Sequence, residues 1–143
     1  MNDYSKWLPQ QINGVAAKKF WEDLKEEKFM YQQCDDCNSP IFYPRVVCPN
    51  CMSENLNWHQ ASNDGKIYSF TVVYKSTNPA FKENVPYIVG LIDLAEGIRV
   101  MGNIVGIDDP EALQIGQPVK IEFNKVTDEF TFPVFRVNEG EIR

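Results

Sequence analysis

The chain has 143 residues, of which 43% are hydrophobic and 13% aromatic, enough for the core of one ordinary domain or two small modules. Its net charge of −6 disfavours nucleic-acid binding, which uses Lys and Arg to neutralise phosphates. No apolar run approaches the roughly 18 residues of a membrane span, and the polar start of the chain lacks the apolar segment of a signal peptide, so we expect a cytoplasmic protein without a membrane span.

The first predicted element is a helix from Gly14 to about Glu27. Its apolar residues recur every four positions, and charged residues take the opposite face. The repeat consists of Ile12, Ala16, Phe20 and Leu24, with Trp21 beside it. The adjacent Phe20 and Trp21 are large for one helix, so we expect them to be covered either by the rest of this chain or by another subunit.

The stretch before this helix, residues 1–12, is predicted to be extended or irregular. It contains Trp7, Leu8 and Pro9 in succession. Because these residues are too apolar for a freely solvated tail, we expect them either to pack on the surface of the chain itself or to dock on another subunit.

Two C-x-x-C pairs contain all four cysteines: Cys34 with Cys37 and, after ten residues, Cys48 with Cys51. Four thiolates from two tight turns are the ligand set of a closed tetrahedral zinc site, which leaves no position for substrate and so serves folding. Iron uses the same four ligands and stays an alternative, as do disulfides and free thiols. The only histidine, His59, is predicted to be a surface strand residue, since the cysteines already complete the ligand set.

Short strands are predicted on either side of the cysteine pairs. One runs from Lys28 to Gln33, a hairpin over residues 41–47 connects the pairs, and Leu56 to Gln60 forms the last ribbon strand. The position after Cys37 commonly needs a positive φ in a metal-binding turn. Asn38 occupies it here, and Asn tolerates that conformation better than most residues.

Beyond the turn Ser62-Asn63-Asp64-Gly65 the pattern is strands throughout. Five strands are predicted, at 66–75, 86–94, 98–105, 119–124 and 130–137. Asp109 before Pro110 fits the start of a short helix ahead of the fourth strand. This order predicts an OB-fold barrel, so the fold class is mainly β: an N-terminal segment and helix (1–27), a zinc ribbon (28–61) and a five-stranded barrel (62–143).

Two details of the barrel strands are predicted from their side chains. The first strand alternates so that Tyr68, Phe70, Val72 and Tyr74 share one face. Gly90 and Gly102 lie inside the second and third strands, where glycine often marks a bulge or sharp coiling.

The order of these parts resembles a known protein family. A Phe20-Trp21 helix precedes the two cysteine pairs, Tyr43-Pro44-Arg45 lies between them, and Trp58 follows. The barrel then contributes a run of motifs: Gly65-Lys66-Ile67-Tyr68-Ser69-Phe70-Thr71, Pro86-Tyr87, Gly116-x-Pro118-Val119 and Phe135. Over nearly the whole chain this is similar to the OB-fold proteins with an N-terminal rubredoxin-like zinc ribbon, the acyl-CoA-associated family termed domain of unknown function thirty-five.

The resemblance implies an accessory subunit rather than a stand-alone enzyme. Family members are found with thiolase-like proteins, with 3-hydroxy-3-methylglutaryl-CoA synthase in archaea, and with hydratase or aldolase subunits that act on acyl-CoA thioesters. There the ribbon and barrel serve as a bridge, and the barrel can hold the CoA part of a substrate or pass intermediates on. The four cysteines match the family's metal ligands. Asn38 replaces the usual glycine, for which we expect a local adjustment without loss of the site.

The sequence itself offers no catalytic set. It contains no nucleophile elbow, Walker loop, dinucleotide fingerprint or metalloprotease motif, and one histidine limits Ser-His or Cys-His catalysis. The adjacent carboxylates Asp35-Asp36 and Asp108-Asp109 are predicted to be a solvated turn and a helix cap. We therefore expect a non-enzymatic subunit that binds a thiolase-like, synthase-like or hydratase-like protein, with CoA or acyl-CoA as a candidate ligand.

The loop that joins the first two barrel strands, residues 76–86, is where such barrels commonly bind. The candidate ligand- or partner-binding residues are aromatic or basic and lie in this region or on the helix: Phe20, Trp21, Tyr74, Phe81, Lys82 and Tyr87. The alternative function is a single-stranded nucleic-acid module in which Tyr and Phe stack on bases. From Gly65 onward, 8 Lys or Arg against 11 Asp or Glu disfavour it.

Overall fold

The computed structural model describes residues 15–77, 85–126, 128 and 130–137. It contains one α-helix, α1 (Val15–Lys25), and two groups of strands. The ribbon strands are β1 (Met30–Cys34), β2 (Pro40–Ile41) and β3 (Leu56–Gln60). The barrel strands are β4 (Asp64–Val73), β5 (Tyr87–Leu94), β6 (Arg99–Val105), β7 (Pro118–Lys125) and β8 (Thr131–Val137). The predicted fold class, mainly β with an N-terminal helix, is confirmed.

Helix α1 is stabilised by an ion pair on its surface and by a backbone hydrogen bond at its C-terminus. An ion pair between Lys19 and Asp23, 2.9 Å apart and one turn from each other, supports the exposed side of the helix. Glu27 then takes a positive φ of 60°, and the N–H of Lys28 returns to the carbonyl of Asp23 at 3.0 Å. This left-handed C-terminal cap of a helix usually contains glycine.

None of the helices in the described residues has the length and apolar character needed to cross a membrane.

The aromatic pair of α1 packs against this chain's own ribbon on one side. Phe20 is buried, and its ring meets the rings of Phe29 and Phe42 edge-on, with centroids 5.6 and 5.5 Å away. Phe29 and Phe42 in turn stack on each other at 5.4 Å. The helix is therefore fastened to the ribbon by a three-ring cluster.

On its other side, α1 packs against the barrel. The half-buried Trp21 makes edge contacts with Phe130 and Phe132, each with centroids 5.7 Å away. The two neighbouring aromatic residues of the helix thus contact different modules, and α1 bridges the ribbon and the barrel.

The ribbon is a small antiparallel sheet in the order β2-β1-β3. The connection between the cysteine pairs is less regular than the predicted hairpin, since β2 has only two residues. A buried amide orders it instead: Gln32 Nε2 donates to the carbonyl of Arg45 at 2.8 Å, and the N–H of Arg45 donates to Gln32 Oε1 at 2.7 Å. Because Gln32 is only 4% exposed, this double hydrogen bond ties the loop to β1 out of reach of water.

The five barrel strands close in the order β4-β5-β6-β8-β7, with β7 pairing back to β4. Only β6 and β8 run parallel, with Ile104 opposite Phe135. This is the predicted OB-fold barrel. The short helix before β7 is a 3₁₀ turn over Pro110–Ala112, and the N–H of Glu111 donates to the predicted cap Asp109 at 3.0 Å.

A β-bulge changes the predicted face of β4. The register with β5 shifts between Ile67, opposite Ile92, and Ser69, opposite Leu91. Phe70 and Val72 still pack on the core, but Tyr68, at the bulge, is 47% exposed. The prediction that Tyr68 shares their face is therefore wrong, since one extra residue reverses the side-chain alternation.

The strand glycines serve packing rather than bulging. Gly90 lies opposite Gly102, and the register of β5 with β6 runs through them without a shift. A Cβ on Gly102 would lie 2.4 Å from Phe135 Cε2, and one on Gly90 would lie 2.4 Å from Ile104 Cδ1. The two glycines thus leave the space that these core side chains fill.

We expect Phe20→Ala to destabilise the chain by about 3–5 kcal/mol, because it removes a buried ring from the helix–ribbon cluster. Urea unfolding followed by circular dichroism measures this change. Lys18→Ala, on the exposed side of the same helix, is the matched control and should stay within about 0.5 kcal/mol of the unaltered chain. Equal stabilities of the two variants would contradict the bridging role of α1.

Candidate metal centre and apolar groove

The two C-x-x-C turns fold in the same way. In each, the residue after the second cysteine donates its backbone N–H to the carbonyl of the first, Asn38 to Cys34 and Met52 to Cys48, both at 2.9 Å. These residues have positive φ angles, 61° for Asn38 and 67° for Met52. The predicted backbone conformation of Asn38 is confirmed, and the turn accepts Asn where glycine is usual.

The four cysteine side chains converge on one point. Their sulfur atoms all lie within 4.8 Å of one another. Cys34 and Cys51 are 3.5 Å apart, and Cys37 and Cys48 are 3.7 Å apart. Four sulfurs around a tetrahedral zinc ion, each about 2.3 Å from the metal, would be roughly 3.8 Å apart, whereas a disulfide needs about 2.05 Å. All four cysteines are free thiols, and their arrangement fits one metal ion.

The ionisation of the thiols also favours a cation. Hydrogen bonding to the Ser39 hydroxyl and then to the Asn50 amide lowers the pKa of Cys37 to about 6. The pKa of Cys51 is instead raised to about 12, because the backbone hydrogen bond from Ser53, which lowers it, is outweighed by the neighbouring thiols and by desolvation. Four sulfurs this close need a positive ion between them before all can be thiolates.

The acidic pair beside Cys34 braces the metal-binding turn. Asp36 accepts hydrogen bonds from the Ser53 hydroxyl and from Asn55 Nδ2, the latter at 3.0 Å, and Asp35 accepts one from Asn57. The bonds from Ser53 and Asn55 lower the pKa of the Asp36 carboxyl. These exposed carboxylates therefore connect the first cysteine turn to the chain leaving the second, a role that the prediction of a merely solvated turn missed.

His59 lies apart from the metal ligands, as predicted. It is exposed on β3, with its ring 5.8 Å from that of Tyr31. Within the part of the chain that the structure describes, the four cysteines are the only group of three or more His, Cys, Asp or Glu side chains close enough to share a metal ion.

An apolar groove of about 530 Å³ lies between α1, the ribbon loop and the outer face of the barrel. Its walls come from α1 (Ala17, Phe20, Trp21), the ribbon (Phe29 and 42–44), β5 (Tyr87, Val89), β6 (100–103) and β8 (132–135). None of these residues is charged. Its volume lies in the range of small-molecule sites, and its walls are aromatic and aliphatic.

The apolar groove brings together three of the predicted binding residues, Phe20, Trp21 and Tyr87. Tyr74 follows the end of β4, is 62% exposed and is not among the residues that line it. Phe81 and Lys82 lie outside the described residues.

Sequence reasoning missed two of the groove's walls. Residues 42–44 of the ribbon loop and Met101 of β6 line it. The connection between the cysteine pairs contains Phe42-Tyr43-Pro44 in a largely apolar stretch, a signal that could have identified the loop. Met101 carried no such signal, because its role depends on strands and a helix that are distant in the sequence.

Protein-family models match both modules of the chain. Residues 21–57 match the ChsH2 rubredoxin-like zinc ribbon domain, and residues 58–124 match the ChsH2 C-terminal OB-fold domain. A solved structure of an Ltp2-ChsH2(DUF35) aldolase contains a chain that is 32% identical, with a TM-score of 0.79, covering 90% of this chain and 98% of that one.

Three curated relatives of the chain have different names. A DUF35 domain-containing scaffold protein of Methanothermobacter thermautotrophicus is 36% identical over 123 residues, covering 85% of this chain and 80% of the relative. A probable enoyl-CoA hydratase alpha subunit of Thermomonospora curvata is 36% identical over 118 residues, which are 82% of this chain but 36% of that protein. This chain thus spans about a third of the longer relative. The benzoylsuccinyl-CoA thiolase subunit BbsA of Geobacter metallireducens is 31% identical over 74 residues, 52% of this chain and 48% of BbsA.

Removing the metal is expected to unfold the ribbon, because binding to such sites is worth roughly 10–16 kcal/mol. Elemental analysis of the purified chain should give one zinc ion per chain. The ion should be released as the pH falls, since protonated thiols no longer bind it.

Cys48→Ser should lose the metal, and the matched control His59→Ala should keep it. A coloured protein containing iron, or a metal-free chain that stays fully folded, would contradict this expectation.

Asn38→Val should destabilise the first cysteine turn by about 1–3 kcal/mol, because a β-branched residue strongly disfavours the positive φ at this position. Asn38→Gly should be tolerated, since glycine adopts this conformation without strain. Competition for the bound metal by a chelator measures both effects. A Val variant that holds metal as tightly as the Gly variant would show that the backbone conformation is unimportant.

Proposed function

The chain belongs to the DUF35 family, in which a rubredoxin-like zinc ribbon precedes an OB-fold barrel, and from this membership we propose that it is an accessory subunit of an acyl-CoA enzyme. One observation carries the proposal. Relatives that match this chain are named as scaffold proteins, as a probable hydratase alpha subunit and as a thiolase subunit, and the similar solved chain belongs to an Ltp2-ChsH2(DUF35) aldolase. Two of these names are subunits of enzymes that act on CoA compounds, and a third is a scaffold protein, which supports an accessory role beside such an enzyme.

We infer that the chain itself is not catalytic. The four cysteine sulfur atoms lie together as the ligands of one metal site. His59 is exposed on a ribbon strand and does not line the apolar groove. Among the described residues, the groove lining contains no Asp, Glu, Lys, Arg or His side chain, the commonest groups for moving a proton. Catalysis would then reside in the partner, a thiolase-like, 3-hydroxy-3-methylglutaryl-CoA synthase-like or hydratase-like protein.

The metal in this proposal is structural zinc. Cys34, Cys37, Cys48 and Cys51 would complete its coordination, so no position is left for a substrate. Thiolate ligands persist in reducing compartments, which agrees with a cytoplasmic location. The zinc would hold the ribbon loop in place and supply no reaction chemistry.

The partner or ligand surface would include Phe20, Trp21, Tyr74, Phe81, Lys82 and Tyr87. Trp21 and Tyr87 face the same apolar groove, and buried aromatic anchors often dominate interfaces. The same surface could help to hold the acyl or CoA part of a thioester or to pass it between active sites. Binding of single-stranded nucleic acid is less suited to the groove, because the described residues that line it include no Lys or Arg to neutralise phosphates.

The test is an affinity purification of the tagged chain from its native cells, followed by mass spectrometry of the proteins that accompany it. We expect a thiolase-like, synthase-like or hydratase-like protein in stoichiometric amount. The complex should turn over an acyl-CoA substrate, and the chain alone should not. A chain that brings down no such protein, or that is active alone, would contradict the accessory role.

Tyr87→Ala then tests the surface. Loss of a central interface tyrosine commonly costs about 2 kcal/mol, which corresponds to roughly 30-fold weaker binding. Tyr68→Ala is the matched control, because Tyr68 is an exposed tyrosine of the same barrel that does not line the apolar groove. Equal affinities of the two variants for the purified partner would place the interface elsewhere.

A further inference from the structure

The barrel has an open strand edge along the first half of β6. On one side, β6 pairs with β5 along nearly its whole length. On the other side its only strand neighbour among the described residues is β8, and that pairing begins only at Ile104, opposite Phe135. Residues 99–103 therefore have a partner strand on one side only.

The hydrogen bonds of the β5–β6 hairpin show which backbone groups face this open side. The N–H of Leu94 donates to the carbonyl of Ile98 at 2.9 Å, so these two residues form a hydrogen-bonded pair. Opposite residues of an antiparallel ladder alternate between bonded and non-bonded pairs, and the register of β5 with β6 has no shift. Val100 and Gly102 therefore bond to β5, whereas the N–H and C=O of Met101 point away from it, toward β8.

Pro133 explains why β8 does not pair with this part of β6. In the β7–β8 hairpin, the N–H of Val126 donates to the carbonyl of Phe130 at 3.0 Å. The same alternation along the register of β7 with β8 directs the backbone of Pro133 toward β6. Because proline has no N–H, β8 lacks a donor at the point where the ladder would continue past Phe135.

The apolar groove lies over this open edge. Residues 100–103 of β6 and 132–135 of β8 both line it, and Met101 is 60% exposed. The groove thus combines uncharged walls with main-chain groups that lie outside the strand pairing. A purely hydrocarbon occupant would bury these groups without hydrogen bonds, at a cost in free energy. An extended peptide instead supplies N–H and C=O groups at matching intervals along the edge.

The one charge on this stretch of β6 is directed away from the open side. Charged side chains usually protect free strand edges from an added strand. Arg99 is the only charged residue among residues 99–103. Its Nε lies 2.6 Å from Asp93 Oδ1 of β5, and its guanidinium lies 3.4 Å from the centre of the Tyr68 ring. The open side is left uncharged, like the groove walls, so a matching strand carries uncharged and mostly apolar side chains.

We propose that the partner subunit docks by adding a short, extended, uncharged segment to β6 along residues 99–103. The N–H and C=O of Met101 bond to the main chain of this segment, and its apolar side chains enter the groove toward Trp21 and Pro44. The open stretch extends over about 16–17 Å, the length of a strand of about five residues. This inference rests on the accessory function proposed above and specifies how the partner is recognised.

Two substitutions at Met101 separate main-chain from side-chain recognition. Met101→Pro removes the N–H on the open side and leaves the bonds of Val100 and Gly102 to β5, whereas Met101→Ala keeps the N–H and removes the side chain. We expect Met101→Pro to weaken binding of the co-purified partner at least about tenfold more than Met101→Ala, because a carbonyl of the segment loses its donor. Titration with the purified partner measures both affinities. Equal losses would show that side chains alone dock the partner and would overturn the proposal.

Amide hydrogen exchange decides the case in which Met101→Pro does not fold. Mass spectrometry with residue-level fragmentation follows it in the unaltered, metal-loaded chain. In the dilute free chain, the Met101 amide should exchange at least about 100-fold faster than the Gly102 amide, which bonds to β5. In the complex with the partner, exchange at Met101 should slow at least about 100-fold.

The proposal and the accessory function fail in different ways. Fast exchange at Met101 in a complex that does form would overturn the strand docking and leave the accessory function intact. A chain that forms no complex would overturn both. Slow exchange at Met101 in the dilute free chain would show that the edge is not open and would overturn the strand docking alone.

The same measurement tests two other occupants of the edge. If acetyl-CoA alone slows exchange at Met101 as much as the partner does, the edge belongs to the amide-containing arm of CoA. If exchange slows only when the free chain is concentrated, the edge belongs to a second copy of the chain. Either result would overturn the proposal.

Discussion

The electrostatics of four neighbouring sulfur atoms determine whether the N-terminal part of this protein can exist as a fold. The ribbon has almost no core of its own: Cys34, Cys48 and Ile41 are its separate buried cluster. The hydrophobic effect from so few side chains cannot offset the entropy of ordering the segment. A cation among four thiolates would supply the missing free energy, and the matched turns, the buried Gln32 amide and the bonds to Asp36 fix the surrounding chain.

Beyond the cysteines, one hydrophobic core runs from the helix through the ribbon into the barrel. Leu24 of α1, Phe29 ahead of β1 and Ile67 of β4 belong to the same buried cluster. The two modules that family models distinguish are therefore packed together by α1. This continuity explains why the outer face of the barrel has a groove at all, since the helix and ribbon loop form its second wall.

Local signals in the sequence predicted much of this structure, because they report chemistry that acts over a few residues. The cysteine spacing identified the metal ligands as candidates, the position after Cys37 predicted the conformation of Asn38, and Asp109 capped the short helix where expected. The misses arise from contacts between distant residues. The bulge at Tyr68 reverses a side-chain alternation that looks regular in the sequence. Gln32 looks like an ordinary polar strand residue in the sequence, because its hydrogen-bond partner Arg45 is distant along the chain. The apolar groove was not predictable for the same reason.

The loop between the cysteine pairs contributes both to the candidate metal centre and to the apolar groove. Sulfur atoms hold its ends, the Gln32 amide holds its middle, and residues 42–44 form one wall of the apolar groove. Without an ion at the sulfur atoms, the two ends of this loop would lose their anchor, and only the Gln32 amide and the ring contacts of Phe42 would hold the wall in place. Metal loading would then act as a maturation checkpoint for the apolar groove, because both ends of the loop that forms this wall would be held only in the metallated chain.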